Sequence, residues 1–178
     1  MNMYGVIIQA RYNSTRLPGK VLKKIGKHSI LEILIKRLNK LKKKYKIVVA
    51  TSNDKSDDKI CDYLKKKKIA LYRGSSQNVL SRFFNCAKKN KFKNIIRITA
   101  DCPLIDHKIL AKTIDLFEEK SLDYASNTMP PTYPDGLDVE VFTFKALKKA
   151  YENAKIGHDL EHVTPYIRKN NFFKKSNL

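Results

Sequence analysis

The segment QARYNSTRLPGKVL, residues 9–22, sets Arg11, Arg16 and Lys20 among Ser14, Thr15 and one glycine, directly behind a short apolar run. Guanidinium forks and an ammonium suit phosphate oxygens, and backbone N–H groups with hydroxyls in such a loop can close around a triphosphate. Ala10, where the apolar run ends, is counted with this loop as nucleotide-binding. Gly-Lys is followed by Val, and no GxxxxG precedes it, so this is not the P-loop of nucleoside triphosphatases. The fingerprint GxGxxG is also missing, which argues against a dinucleotide enzyme.

A second polar segment, RITADCPLID (97–106), places Asp101 just past another apolar run. A carboxylate there can reach a metal without leaving the scaffold, and Mg²⁺ takes one or two carboxylates plus phosphate oxygens and water. Asp106 reads as the N-cap of a following helix, and Cys102 as a small filler rather than a nucleophile. Residues 51–54 and 73–76 are two further polar segments that follow apolar runs. Ser75 and Arg82 are base-side or phosphate-side candidates, with a structural salt bridge the equal alternative for Arg82.

A third acidic stretch, YPDGLDVEVF (133–142), gathers Asp135, Asp138 and Glu140. Asp138 and Glu140 alternate with Val139 and Val141, so in a strand both face one side, away from the core. They read either as exposed acids or as contacts to sugar hydroxyls or a cation. In EHVTPYI, Glu161 and His162 are similar: His162 is a sugar ligand, a base or a packing residue. His28, His107 and His158 read as unclustered and structural.

Elements that hold such loops follow from hydrophobic periodicity. Residues 4–10, 46–51, 69–72 and 94–99 are β-branched runs of strand length, separated by amphipathic segments of helical period. Ser29 with Glu32 forms a capping box ahead of an apolar stripe of Ile30, Leu34, Leu38 and Leu41. This β-α-β-α order predicts a three-layer α/β sheet, mostly parallel, whose ligand crevice lies outside the carboxyl ends of its strands. The four polar segments that follow strands are therefore expected along one crevice. Beyond residue 121 the pattern loosens to a strand at 122–127, a Pro-rich loop, a strand at 138–142 and a helix at 144–154.

With 178 residues the chain fits one domain. Its net charge of +20 raises the nucleic-acid reading, but only seven of the 37 basic residues are Arg. The remainder are dispersed Lys in company with many Ile and Asn, the mark of an AT-biased composition rather than of an aromatic-interleaved nucleic-acid surface. Three scattered cysteines without CxxC spacing argue against disulfides and zinc. No signal peptide or membrane span is legible, so a cytoplasmic protein with no nucleic-acid or membrane partner is expected.

Together QARYNSTRLPGK, RGSSQNVLSRF, RITADCPLID, YPDGLDVEVF and EHVTPYI resemble the spore-coat-polysaccharide type of cytidylyltransferase, a family related to the CMP-KDO and acylneuraminate cytidylyltransferases. The resemblance implies a Rossmann-like nucleotide-diphospho-sugar transferase fold and an enzyme that joins CTP to a sugar or sugar acid for polysaccharide or glycan synthesis. It implies Mg²⁺ on Asp101, triphosphate contacts from Arg11, Arg16 and Lys20, and a homodimer. The family's late segment D-x-PED has no counterpart after Thr164, so a C-terminally truncated form with a bare sheet edge is expected; Asp135 or Asp138 is the alternative second metal ligand. The rivals are a uridylyl-, guanylyl- or glycosyltransferase of the same fold, a basic nucleic-acid module and an inactive paralogue.

Overall fold

The computed structural model describes residues 4–14 and 17–178. β-Branched runs supply the central strands: β1 (Tyr4–Gln9), β4 (Tyr45–Ser52), β5 (Leu71–Gly74) and β6 (Asn94–Thr99) lie parallel in the order β5-β4-β1-β6. The sheet continues through β8 (Glu140–Thr143), antiparallel to β6, then β7 (Tyr124–Ser126) and finally β9 (Lys175–Asn177). A two-residue hairpin, β2 (Lys24–Ile25) with β3 (His28–Ser29), stands apart.

Strand alternation divides the core. Val6 and Ile8 point to one face and pack with Leu31 and Leu34 of α1 (Ile30–Leu38), Ile60 and Leu64 of α2 (Asp58–Lys66), and Leu110 and Ile114 of α4 (His107–Glu119). Ile7 points to the other face, which is closed by Phe83 of α3 (Val79–Lys89), Leu147 of α5 (Phe144–Asn153) and Ile167 of α7 (Pro165–Lys169). Three layers result, as the alternating pattern demands. Ser29 caps α1 by accepting the Glu32 N–H at 3.1 Å, and Asp106 caps α4 by accepting from Lys108 and Ile109.

Four departures from the sequence reading concern elements. The strand expected at 69–72 lies at Leu71–Gly74, and those expected at 122–127 and 138–142 shrink to three and four residues. The valine alternation of 138–142 was legible, but pairing with β6 begins only at Glu140. The tail adds a strand that the sequence reading did not place: β9 pairs with β7 in parallel from Tyr124↔Lys175 to Ser126↔Asn177 and forms the sheet's outer margin. Residues 157–169 form two short helices, α6 (Gly157–His162) and α7, joined at Val163 with φ of 72°. No helix among the described residues is long and apolar enough to cross a membrane.

Candidate functional site

Loops leaving β1, β4 and β6 open at one end of the sheet. Together with the start of α3 and the end of α6 they enclose a crevice of about 520 Å³. Arg11, Ser14, Lys20, Arg82, Asp101 and His162 all line it. Residues drawn from all four polar segments thus meet where an α/β sheet binds ligands. Thr15 and Arg16 lie outside the described residues.

The first loop is shaped at Gly19, whose φ is +69° and whose N–H donates to the Tyr12 carbonyl at 2.7 Å. A side chain there would both strain the backbone and press within 2.9 Å of the Tyr12 ring. The turn delivers Lys20 to the crevice, where its ammonium pairs with the Asp101 carboxylate. Burial would raise the Asp101 carboxyl, but Lys20 and neighbouring donors hold it below its ordinary value. The carboxylate is therefore charged and reachable, its side chain 40% exposed.

Arg82 is 2% exposed and still lines the crevice. One of its terminal nitrogens donates to the Ser75 carbonyl at 3.2 Å, while its Nε has no partner within the protein. No carboxylate pairs with it among the described residues, so the salt bridge held open for Arg82 is not found. Burial, with Arg11 nearby, lowers its affinity for a proton despite the opposing charges of Asp57 and Asp54. A guanidinium so placed calls for an anion. Ser75 does not line the crevice; its hydroxyl accepts from Asn78 at 3.0 Å and shapes the turn into α3. Ala10 is buried and extends the strand ladder to Ala50, so it contributes register rather than a ligand surface.

The acids of 133–142 separate. Asp135 is exposed and lines neither cavity. Asp138 and Glu140 both line a second cavity of about 160 Å³, with Arg97, Thr99, Thr128 and Arg168, but Asp138 is exposed whereas Glu140 is buried. The expectation of an outward-facing Glu140 is thereby corrected: it is 4% exposed, pairs with Arg97, and accepts from Tyr124 at 2.7 Å and Thr164 at 2.6 Å. Burial would raise its carboxyl, and Arg97, then Thr164 and Tyr124, hold it below its ordinary value. His158 is not isolated either, since its ring lies 4.6 Å from that of His162. Burial pushes the Cys102 thiol up, against a lowering contact from Thr99, in keeping with a filler role.

Sequence reasoning missed Asp57. It is 1% exposed and accepts from the Tyr12 N–H at 2.6 Å, the Ser52 N–H at 2.9 Å, the Thr51 hydroxyl at 2.8 Å and the Ser52 hydroxyl at 2.5 Å. One carboxylate thus ties the loop after β1 to the end of β4. Nothing in NDKSDDK distinguishes it from Asp54 or Asp58; only its burial does. Burial would raise it, and the donors from Ser52, Tyr12 and Thr51 overcome that and hold Asp57 below its ordinary value. The stabilisation is therefore full above the unfolded pKa of about 3.9 and is lost as pH falls through the lower folded value. Asp57→Asn is expected to cost about 2 kcal/mol at pH 7, with a smaller gap from wild type at pH 3.5. Urea unfolding at both pH values checks it; an equal gap at both would show that the charge is immaterial.

Arg73 braces the β4 exit: its guanidinium donates to the carbonyls of Ser52 and Asp54, each at 2.9 Å, and pairs with Asp58 at 2.6 Å.

A family model described as Cytidylyltransferase matches residues 5–176. The chain is 44% identical over 169 residues to an uncharacterized protein of Methanocaldococcus jannaschii, covering 94% of this chain and 68% of that one. It is 34% identical to a spore coat polysaccharide biosynthesis protein of Bacillus subtilis, covering 94% and 71%. The solved structure of a cytidylyltransferase from Leptospira borgpetersenii superposes with a TM-score of 0.94 at 35% identity, over all of this chain and 76% of that one. Strand order, a cationic crevice at the strand ends and a match along nearly the whole length agree: the chain belongs to the cytidylyltransferase family, a family of nucleotidyltransferases.

Proposed function

We propose that this protein transfers the cytidylyl group of CTP to a hydroxyl of a sugar or sugar acid, releasing pyrophosphate, in the synthesis of a surface polysaccharide or glycan. The observation that carries this reading is the crevice itself, which brings Arg11, Lys20, the buried Arg82 and Asp101 together at the strand ends of a cytidylyltransferase-family chain. The acceptor oxygen forms a bond to the α-phosphorus, the bond to the bridging oxygen breaks, pyrophosphate leaves with the electron pair, and the hydroxyl proton passes to solvent. Alignment and neutralisation of charge supply most of the rate for such a step.

Arg11 and Lys20, with Arg16, Ser14 and Thr15, hold the β- and γ-phosphates and draw charge onto the leaving group. Arg82 holds a phosphate oxygen or the base at the start of α3. Asp101 would offer a carboxylate to Mg²⁺ beside the triphosphate, and the ion, once bound, would supply positive charge to neutralise the phosphates. Lys20 and Asp101 neutralise one another, and both are accessible enough to exchange that partnership for phosphate and metal. His162 and Asp138 stand on the acceptor side.

A thermal-shift panel of CTP, UTP, GTP and ATP with Mg²⁺ tests the nucleotide. CTP at a hundred times its Kd is expected to stabilise by about 2.7 kcal/mol, and the others by much less at equal concentration. An equal shift from UTP would remove cytidine selectivity. Pyrophosphate release with a panel of sugars and sugar acids then tests the transfer.

A further inference from the structure

Composition accounts for how many lysines this chain carries, but the fold decides where they stand. Residues 40–46 hold five of them, 65–68 four and 88–93 four, with no acid in any of the three segments. These segments close α1, α2 and α3 and lead into β4, β5 and β6. In a right-handed crossover the helix runs back along the strands, so its last turn lies where the next strand begins. Tyr4, Tyr45 and Asn94 accordingly stand side by side at the start of β1, β4 and β6. Bonds knit the segments into that end. The Lys46 ammonium donates to the Asn90 side chain at 2.9 Å, the Lys43 ammonium to Glu118 at 2.6 Å, and the Phe144 N–H to the Lys93 carbonyl at 2.8 Å. Thirteen lysines thus gather at the end of the sheet opposite the crevice, all exposed except Lys43, which is half-buried.

Little neutralises them. Only Lys43, Lys65 and Lys67 of the thirteen pair with a carboxylate among the described residues. The crevice end, by contrast, mixes acids such as Asp54, Asp58, Asp101 and Asp106 with its cations. Like charges crowded on one face repel and weaken the fold unless something complements them. The backbone adds a second cost. Lys68 and Lys91 both stand at φ of 55° just past a helix end. The Lys68 and Ile69 N–H groups return to the Lys65 and Leu64 carbonyls, and those of Lys91 and Phe92 to Lys88 and Ala87. Glycine is the residue that this left-handed closing position favours. Lysine at both positions therefore keeps charge on the face against strain as well as repulsion.

We propose that this face docks on a bilayer surface of anionic phospholipid headgroups, with the crevice turned away toward solution. Its shape and chemistry select that occupant. The lysines close helices of both outer layers, α1 and α2 on one side of the sheet and α3 on the other, so the cations cover a blunt two-dimensional end. A plane of headgroups meets such an end across its width, whereas a duplex presents lines of phosphates. The three segments contain no arginine, and their two aromatics, Tyr45 and Phe92, pack into the core, so the forks and stacking rings of a nucleic-acid surface are missing from them. None of the large exposed apolar side chains among the described residues belongs to these segments, so the contact is ionic and nothing inserts. The expectation of no membrane partner rested on the lack of a spanning run, which adsorption to a surface does not need. Docking is independent of the cytidylyl-transfer reading.

Flotation of the full chain with vesicles tests it, comparing phosphatidylcholine alone with phosphatidylcholine containing about 30% phosphatidylglycerol. At roughly 0.1 M salt the anionic vesicles are expected to take up the protein about 10²-fold better than the neutral ones, and the preference should vanish by about 0.5 M. The double variant Lys68→Gly/Lys91→Gly should lose about 10-fold in uptake while melting no lower than wild type, because glycine suits both backbones. Lys24→Gln/Lys27→Gln removes the same charge from the β2–β3 hairpin, at the crevice end where α1 begins, and should change uptake by less than about 2-fold. Equal uptake by neutral and anionic vesicles overturns the proposal, as does an equal loss in the two double variants. Duplex DNA added at equal phosphate concentration decides between polyanions: protein that stays on the vesicles supports the bilayer, and protein stripped from them overturns it in favour of nucleic acid.

Discussion

Asp101→Asn is expected to lower kcat by about 10³-fold while moving the melting temperature by no more than about 2 °C. The substitution is nearly isosteric and removes only a negative charge at the crevice mouth. The Lys20–Asp101 pair that it breaks is partly exposed, with 24% and 40% of the two side chains accessible, and pairs of that kind contribute little to stability. The cost is therefore expected to fall on catalysis, through the loss of the crevice carboxylate proposed to hold the metal. CTP binding in the absence of metal should persist, because Arg11 and Arg82 are untouched. Pyrophosphate release across a Mg²⁺ titration measures the effect, and wild-type kcat at every concentration would take Asp101 out of the machinery.

Glu140→Ala is expected to act in the opposite way, on the fold first. Its carboxylate is buried with three partners, and removal leaves the Arg97 guanidinium charged and unpaired between β6 and β8. Breaking a buried pair from one side costs about 3–5 kcal/mol, or roughly 10 °C in melting temperature for a domain of this size. Glu140→Gln keeps acceptor and donor groups for Tyr124 and Thr164 and should lose less. Scanning calorimetry on both variants checks the order; a drop below about 3 °C for the alanine variant would show that Arg97 finds another partner. Because Arg97 also holds Gln9 on the crevice wall, a weakened crevice should accompany the weakened fold.

Much of the architecture was legible because its causes are local. Apolar alternation in YGVIIQ and NIIRIT, the capping box at Ser29 and the Asp106 cap each depend on residues a few positions apart, and each recurs in the structure. The crevice was legible for a related reason. Once strands and their direction are assigned, parallel order alone carries Arg11, Lys20 and Asp101 to the same end of the sheet.

What the residues alone could not reveal depends on contacts across long stretches of chain. Asp57 and Asp58 are neighbours of equal chemistry, yet one is sealed beneath Tyr12 and the other sits on the surface with Arg73. Glu140 carries the same alternation signature as an exposed acid, and only antiparallel pairing of β8 with β6 sets Arg97 against it. Arg168 follows EHVTPYI with no signal of its own, and α7 brings it to the cavity that Thr99 and Thr128 also line. Thus the sequence by itself determined the layered sheet, the helix caps and the polar loop that leaves β1, because periodicity and capping are written in short spacings. The tertiary structure alone decided which identical side chains are buried, paired or left open to a ligand. The physical reason is that burial, and with it the cost of an unpartnered charge, belongs to the packing of distant segments and not to a residue's type.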